Sequence, residues 1–138
     1  AESTRSGATV LVVEDDPRVS RSTVDALEEL GYRPLACAGG EEALAMLEAH
    51  DEIDLVVTDV MMPEMTGTEL ASAMRRRFPH VPVLFVTGYV GETGESDELI
   101  GGEVLRKPFT VAALAHAVET ALGPVNGSRL ASAGEAAE

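Results

Sequence analysis

Short apolar runs alternate with amphipathic stretches along most of the chain. The runs are rich in Val, Leu and Ile and end at turn residues, as strands do, whereas the longer stretches repeat apolar residues at helical spacing. The predicted strands are residues 9–13, 33–38, 53–58, 81–87 and 103–106. The predicted helices are residues 17–30, 40–50, 67–78, a short piece at 96–100, and 111–122. This alternation predicts an α/β fold in which helices cover both faces of a five-stranded parallel sheet.

The composition of the strands predicts their order in the sheet. The first, third and fourth runs are almost entirely apolar, as buried central strands should be, whereas the fifth is short and mixed. The second contains Arg33 and Pro34, and proline belongs at a sheet edge because it cannot donate a hydrogen bond to a neighbouring strand. The resulting order is 2-1-3-4-5, a doubly wound, flavodoxin-like sheet. Ligands of such sheets bind beyond the carboxyl ends of the strands, here between strands one and three.

Glycine-rich stretches mark the fourth helix and both ends of the chain. The stretch GYVGETGESDELIGGEV holds five glycines where the fourth helix should lie. Because glycine inside a helix costs about 0.5 to 1 kcal/mol relative to alanine, we expect this helix to be short or irregular. Residues 1–7 and 123–138 are rich in Gly, Ser and Ala and lack apolar periodicity. We interpret them as flexible flanks of one domain at residues 8–122.

The overall charge limits the classes of partner. With 24 acidic and 10 basic residues the net charge is −14, which disfavours direct nucleic-acid binding and favours cations or basic partners. The single cysteine, Cys37, cannot form an internal disulfide, no signal-like segment opens the chain, and no apolar run is long enough to cross a membrane. These features predict a cytoplasmic protein without membrane contact.

Polar side chains follow the predicted strands at their carboxyl ends. In chain order they are Glu14, Asp15, Asp59, Thr87, Gly88 and Lys107. Because these ends meet at one edge of a parallel sheet, three carboxylates would face one ammonium there, and a hard divalent cation such as Mg²⁺ would neutralise the excess. With that cation bound, a phosphoryl group becomes tolerable, and Lys107 and Thr87 supply further charge and a hydrogen bond. Asp16 has a separate role, since Asp before Pro17 is typical of a helix N-cap.

The local motifs around these residues resemble those of a known family. They are Glu14 and Asp15 after VLVV, Asp59 in LVVTDVMMPEMTG, Thr87 in VLFVTGY, and Lys107 in LRKPFT. Over roughly residues 9–122 the chain resembles a response-regulator receiver domain, the phosphoryl-accepting module of two-component signalling. No single motif is decisive, but all of them occur in the right order at the right strand ends.

The resemblance implies a function. Asp59 would be the nucleophile that takes a phosphoryl group from a phosphohistidine of a sensor histidine kinase or a histidine phosphotransfer domain. Thr87, Lys107 and the Gly88 amide would each contact a phosphoryl oxygen. Formation of the Thr87 bond would then remodel the surface that meets a downstream protein target. Such a domain phosphorylates and dephosphorylates itself on Asp59 without turning over an external substrate.

The resemblance also implies a metal site. Asp15, Asp59 and the backbone carbonyl of Met61 match the family's Mg²⁺ ligands, and Glu14 would hold the ion chiefly through water. Mn²⁺ could substitute for Mg²⁺.

One position departs from the family pattern. Most receivers carry an aromatic residue three positions before the lysine, where this chain has Val104. Tyr89, two residues after Thr87, is a candidate substitute for that aromatic side chain.

Other functions stay open at this stage. A degenerate receiver would act only as a protein-binding module. A haloacid-dehalogenase-like phosphatase also uses an aspartyl nucleophile, but it needs a second Asp where Met61 stands. A flavin-binding domain would need Ser- and Thr-rich phosphate loops, and acidic residues occupy the first strand end instead. A receiver could be a stand-alone regulator or part of a hybrid histidine kinase.

Overall fold

The computed structural model describes residues 7–62, 64–87, 103–107 and 109–123. Five parallel strands form one sheet in the order β2-β1-β3-β4-β5, which confirms the predicted fold class and strand order. The strands are β1 (Thr9–Val13), β2 (Arg33–Cys37), β3 (Ile53–Asp59), β4 (Val83–Thr87) and β5 (Glu103–Arg106). The helices in the described residues are α1 (Pro17–Glu29), α2 (Gly40–Ala49), α3 (Gly67–Arg77) and α4 (Val111–Leu122).

The predicted bounds of these elements agree with the structure to within two residues. The largest difference is in β4, which begins at Val83 where the sequence pattern predicted residue 81. The expected short helix at 96–100, Gly88, Tyr89 and almost all of the predicted flanks lie outside the described residues.

Apolar side chains alternate between the two faces of the sheet, as the period of a strand requires. In β1, Val10 and Val12 face α1 and α4, where they pack with Leu27 and Leu114. The intervening Leu11 and Val13 face α2 and α3 within a second cluster. Both faces of the sheet are therefore covered, as predicted.

Local hydrogen bonds start two helices just beyond the carboxyl edge of the sheet. The Asp16 side chain accepts a hydrogen bond of 2.9 Å from the Arg18 amide, and Pro17 is the first helical residue of α1, which confirms Asp16 as the N-cap. Helix α3 begins with a capping box, in which the Thr66 hydroxyl and the Glu69 carboxylate each accept from the other residue's amide. These caps fix the points at which α1 and α3 begin, next to the carboxyl ends of β1 and β3.

The loop between β3 and α3 makes close contacts at two glycines. A Cβ atom on Gly67 would collide with the backbone carbonyl of Asp59, and a Cβ atom on Gly40 would collide with the Met65 side chain. Glu64 adopts a φ of +72°, a left-handed conformation that is unfavourable for residues with a side chain. Tight packing on both sides therefore holds the loop that follows Asp59.

Candidate functional site

Three carboxylates meet at the carboxyl edge of the sheet. Glu14 and Asp15 follow β1 directly and Asp59 ends β3, and these two strands are paired neighbours. One carboxylate oxygen from each residue lies within 4.8 Å of those of the other two. Glu14 is 8% exposed, whereas Asp15 is open to solvent. The sheet thus concentrates negative charge at one partly buried point.

Lys107 brings one positive charge to this cluster. Its Nζ atom lies 3.6 Å from Glu14 Oε1 and 3.5 Å from Asp59 Oδ2. The Lys107 amide donates a 2.8 Å hydrogen bond to the carbonyl of Thr87, which ties the end of β5 to the end of β4 and directs the lysine towards β3. Among the described residues, the Lys107 ammonium thus pairs with two of the three clustered carboxylates, and negative charge remains in excess.

Glu14 is strongly affected by this environment. Its pKa is raised to about 7, mainly by burial and in smaller part by the negative charge of Asp59. Two interactions act in the opposite direction, the 3.1 Å hydrogen bond from the Asp16 amide and the attraction of Lys107. Near neutral pH, Glu14 is therefore poised to take up either a proton or the charge of a cation.

Asp59 is oriented by the backbone that follows it. Its Oδ1 atom accepts a 3.3 Å hydrogen bond from the Met61 amide, while Oδ2 faces Lys107. The Asp59 side chain is 13% exposed, so the carboxylate can be reached from one side. Met61 is itself 59% exposed.

Thr87 occupies the next strand end. Asp59 pairs with Val86 in the ladder between β3 and β4, so that Thr87 lies one residue further along the same edge. Thr87 is buried, at 3% exposure. The structure thus brings Glu14, Asp15, Asp59 and Lys107 together and places Thr87 at the adjacent strand end, whereas Gly88 lies outside the described residues.

The donor set fits a hard divalent cation. Carboxylate oxygens are the ligands that such ions prefer, and oxygens of Glu14, Asp15 and Asp59 lie close enough together to share one ion. Burial raises the pKa of Glu14, and the negative charge of Asp59 adds to the rise, so a cation bound here would favour the ionised form of Glu14. The cluster can therefore hold a metal ion.

Thr58 is a neighbour of the site that sequence reasoning missed. Its hydroxyl donates a 3.0 Å hydrogen bond to the backbone carbonyl of Asp59, and the residue is fully buried. A threonine in a strand carries no signal of its own, because β-branched residues are ordinary there. The contact becomes visible only when the backbone is known.

Comparison with known proteins identifies the family. The model of the response regulator receiver domain matches residues 10–119. The chain belongs to the response regulator receiver family. The receiver protein CpdR of Brucella abortus is 35% identical over 115 residues, covering 82% of this chain and 95% of CpdR. The sensor kinase CckA of the same species is 39% identical over 120 residues, covering 83% of this chain but 12% of CckA.

A solved receiver has the same fold. The crystal structure of a response regulator receiver domain protein from Clostridium thermocellum superposes with a TM-score of 0.76 at 28% identity, covering 83% of this chain and 94% of that one. The receiver described here is thus a module of two-component systems, in which such domains interact with histidine kinases and phosphotransfer proteins. Within its described residues, no helix combines the length and apolar character needed to cross a membrane.

Proposed function

We propose that this receiver takes a phosphoryl group from a phosphohistidine onto Asp59 in a Mg²⁺-dependent reaction. The observation that carries the proposal is the position of the Asp59 carboxylate, which shares one sheet edge with two other carboxylates and lies 3.5 Å from the Lys107 ammonium. The donor would be a sensor histidine kinase or a histidine phosphotransfer domain. This proposal combines the family assignment with the geometry of the site.

The transfer creates one bond and breaks one. A carboxylate oxygen of Asp59 bonds to phosphorus while the phosphorus–nitrogen bond of phosphohistidine breaks. The imidazole nitrogen keeps the bonding electron pair, and a proton on the other ring nitrogen leaves the ring neutral. The product is an acyl phosphate. Because such transfers need little covalent assistance, the protein's contribution is orientation and charge.

Individual residues supply that orientation and charge. The Lys107 ammonium, already between Glu14 and Asp59, would pair with a phosphoryl oxygen. The Thr87 hydroxyl would donate to a second oxygen and the Gly88 amide to a third. Because a hydrogen bond to a charged acceptor is stronger than a neutral one, these donors favour the phosphorylated state.

Four groups of the chain would hold the metal ion. Asp15, Asp59 and the Met61 carbonyl would be direct ligands, and Glu14 would act chiefly through water. Mg²⁺, or Mn²⁺ in its place, supplies positive charge to the phosphoryl oxygens when bound. The cluster of carboxylate oxygens within 4.8 Å of one another supports this assignment.

The signal would leave the domain as a conformational change. The bond between Thr87 and the phosphoryl group would shift the residues after β4 and alter the surface offered to a downstream protein. The receiver could act alone, as the near-complete match to CpdR suggests, or within a larger chain, as in the partial match to CckA. A cytoplasmic location fits this role, since Cys37 is a free thiol and reducing compartments keep thiols free.

The test is phosphorylation by a small donor. We expect incubation with acetyl phosphate and Mg²⁺ to add one phosphoryl group to the intact mass, and we expect Asp59→Asn or removal of Mg²⁺ to abolish it. Asp51→Asn makes the same chemical change at an exposed position before β3, so it should leave the modification intact. If neither acetyl phosphate nor a phosphorylated histidine domain modifies the native chain, the chain is instead a degenerate receiver that only binds proteins.

A further inference from the structure

The hydroxyl of Thr58 lies in the core beside the proposed nucleophile. Thr58 is 0% exposed, and its hydroxyl has two neighbours, the Asp59 carbonyl oxygen at 3.0 Å and the Met62 sulfur at 4.0 Å. A thioether is a weak acceptor, so the carbonyl is the significant partner. The hydroxyl therefore acts on the backbone of Asp59.

The peptide unit between Asp59 and Val60 is held at both ends. Its carbonyl accepts from the Thr58 hydroxyl, and its N–H donates a 3.3 Å hydrogen bond to the carbonyl of Val86 in the neighbouring strand. Gly67 packs directly against the same carbonyl, where any Cβ atom would collide with the oxygen. Tilting of this peptide plane is therefore restricted by two hydrogen bonds and one steric contact.

The peptide plane sets the direction of the Asp59 carboxylate. Rotation about the bonds on either side of Asp59 would change both the position of the Met61 amide, which donates to Oδ1, and the distance from Oδ2 to Lys107. A displacement of about 1 Å in a reacting group can cost as much as a hundredfold in rate. The orientation of this peptide plane therefore determines where the Asp59 carboxylate points.

Packing alone does not account for a threonine at this position. Valine has almost the same shape, and the two preceding residues of β3 are valines that are fully or almost fully buried, Val56 and Val57. Burying a hydroxyl costs free energy unless the hydroxyl is hydrogen-bonded. The 3.0 Å bond to the Asp59 carbonyl offsets that cost and gives the hydroxyl a function that valine lacks.

We propose that Thr58 is a positioning residue for phosphoryl transfer, whose hydroxyl fixes the peptide between Asp59 and Val60 and so aims the Asp59 carboxylate. The inference rests on the proposed function of Asp59. Thr58 itself contacts no phosphoryl donor and acts only through the backbone of its neighbour.

The experiment compares the native chain with Thr58→Val, which removes the hydroxyl, and Thr58→Ser, which keeps it. We expect Thr58→Val to slow phosphorylation by acetyl phosphate roughly fivefold to tenfold per folded molecule, from a lost hydrogen bond and a misdirected nucleophile, and Thr58→Ser to restore most of the rate. Rates are followed by intact mass in saturating Mg²⁺, and the Mg²⁺ affinity of each unphosphorylated chain is measured by calorimetry. Because Asp59 is also a proposed metal ligand, Thr58→Val should weaken Mg²⁺ binding as well, and the rates at saturating Mg²⁺ separate that loss from misdirection of the Asp59 carboxylate.

A matched control separates positioning from stability. Val56 is fully buried two residues earlier in the same strand, so Val56→Ala weakens the core without touching the Asp59 peptide. We expect it to lower the melting temperature while leaving the rate per folded molecule unchanged. The inference is overturned if Thr58→Val reacts as fast as the native chain, if Thr58→Ser fails to recover the rate, or if Val56→Ala is slowed equally. A native chain that accepts no phosphoryl group overturns the proposed function itself, and this inference with it.

Discussion

The ammonium of Lys107 lies 3.5 Å from Asp59 Oδ2 and 3.6 Å from Glu14 Oε1, so that one cation at the end of β5 balances carboxylates at the ends of β1 and β3. These strands are not all neighbours in the sheet, since β4 lies between β3 and β5. The Lys107 side chain therefore extends past the end of β4 to pair with Asp59 and Glu14. This reach links the outermost strand to the proposed nucleophile.

Replacing this lysine should destabilise the metal-free protein. Lys107→Met leaves two largely buried carboxylates without their cation, and we expect the free energy of unfolding at pH 8 to fall by about 1 to 2 kcal/mol. Urea denaturation in EDTA measures the change. Arg21→Met serves as the control, because the Arg21–Asp25 pair is exposed on α1 and should contribute less than about 0.5 kcal/mol. Equal losses in both variants would contradict the balancing role of Lys107.

The titration of Glu14 should contribute measurably to the change of protein stability with pH. Burial raises its pKa from 4.5 to about 7 in the folded protein, so between these values the folded state holds a proton that the unfolded state has released. The free energy of unfolding must then fall as the pH rises from 4.5 towards 7, by up to about 3 kcal/mol. Glu14→Gln should remove this component.

The measurement is a set of urea transitions across this pH range in EDTA for the native chain and Glu14→Gln. The difference between the two curves isolates Glu14 from other groups that titrate in the same range. Parallel curves for the two proteins would show that Glu14 is not the source.

Divalent cations should stabilise the folded chain. An ion that binds only the folded state at about 100 times its dissociation constant raises the free energy of unfolding by about 2.7 kcal/mol. We expect Asp15→Asn to lose most of this gain, since it removes one of the three clustered carboxylates. Asp25→Asn, on the exposed surface of α1, should keep it. Thermal melting with Mg²⁺ and with EDTA distinguishes them, and an unchanged melting point for the native chain would rule out the metal site.

Because Gly67 lies so close to Asp59, replacing this glycine should destabilise the protein. In Gly67→Ala the new methyl group would collide with the Asp59 carbonyl, and we expect a loss of about 1 to 3 kcal/mol in stability together with slower phosphorylation. Gly39→Ala is the matched control, because nothing lies within 4 Å of a Cβ atom there. Urea denaturation and phosphorylation rates report on both effects, and similar behaviour of the two variants would argue against the steric contact.

The sequence was sufficient to place the charged residues of the site. Glu14, Asp15, Asp59 and Lys107 each follow a strand whose pattern is clear, and the parallel arrangement then brings their side chains to one edge. Crowding among the carboxylates was also foreseeable, although burial is the largest cause of the raised pKa of Glu14. How deeply a side chain is buried depends on the neighbouring elements and is not written in a local pattern.

The contacts that orient the proposed nucleophile, Asp59, could not be predicted in the same way. The hydrogen bond from Thr58 depends on the direction of one peptide plane, and no residue pattern specifies such a direction. Glu64 shows the opposite case, because its left-handed backbone contradicts the preference of the residue. Tertiary packing of the loop, through Gly67 and Gly40, overrides local preference there.

The Gly67 amide donates a 2.8 Å hydrogen bond to the Val60 carbonyl, so the segment after Asp59 is a ring of backbone closed by this bond. Gly67 also lies directly against the Asp59 carbonyl, so both ends of this loop are fixed next to the site. An insertion or deletion between Val60 and Gly67 would have to break this hydrogen bond. A change of length in the loops that follow the other strands would not. Variation in length among relatives should therefore bypass this segment.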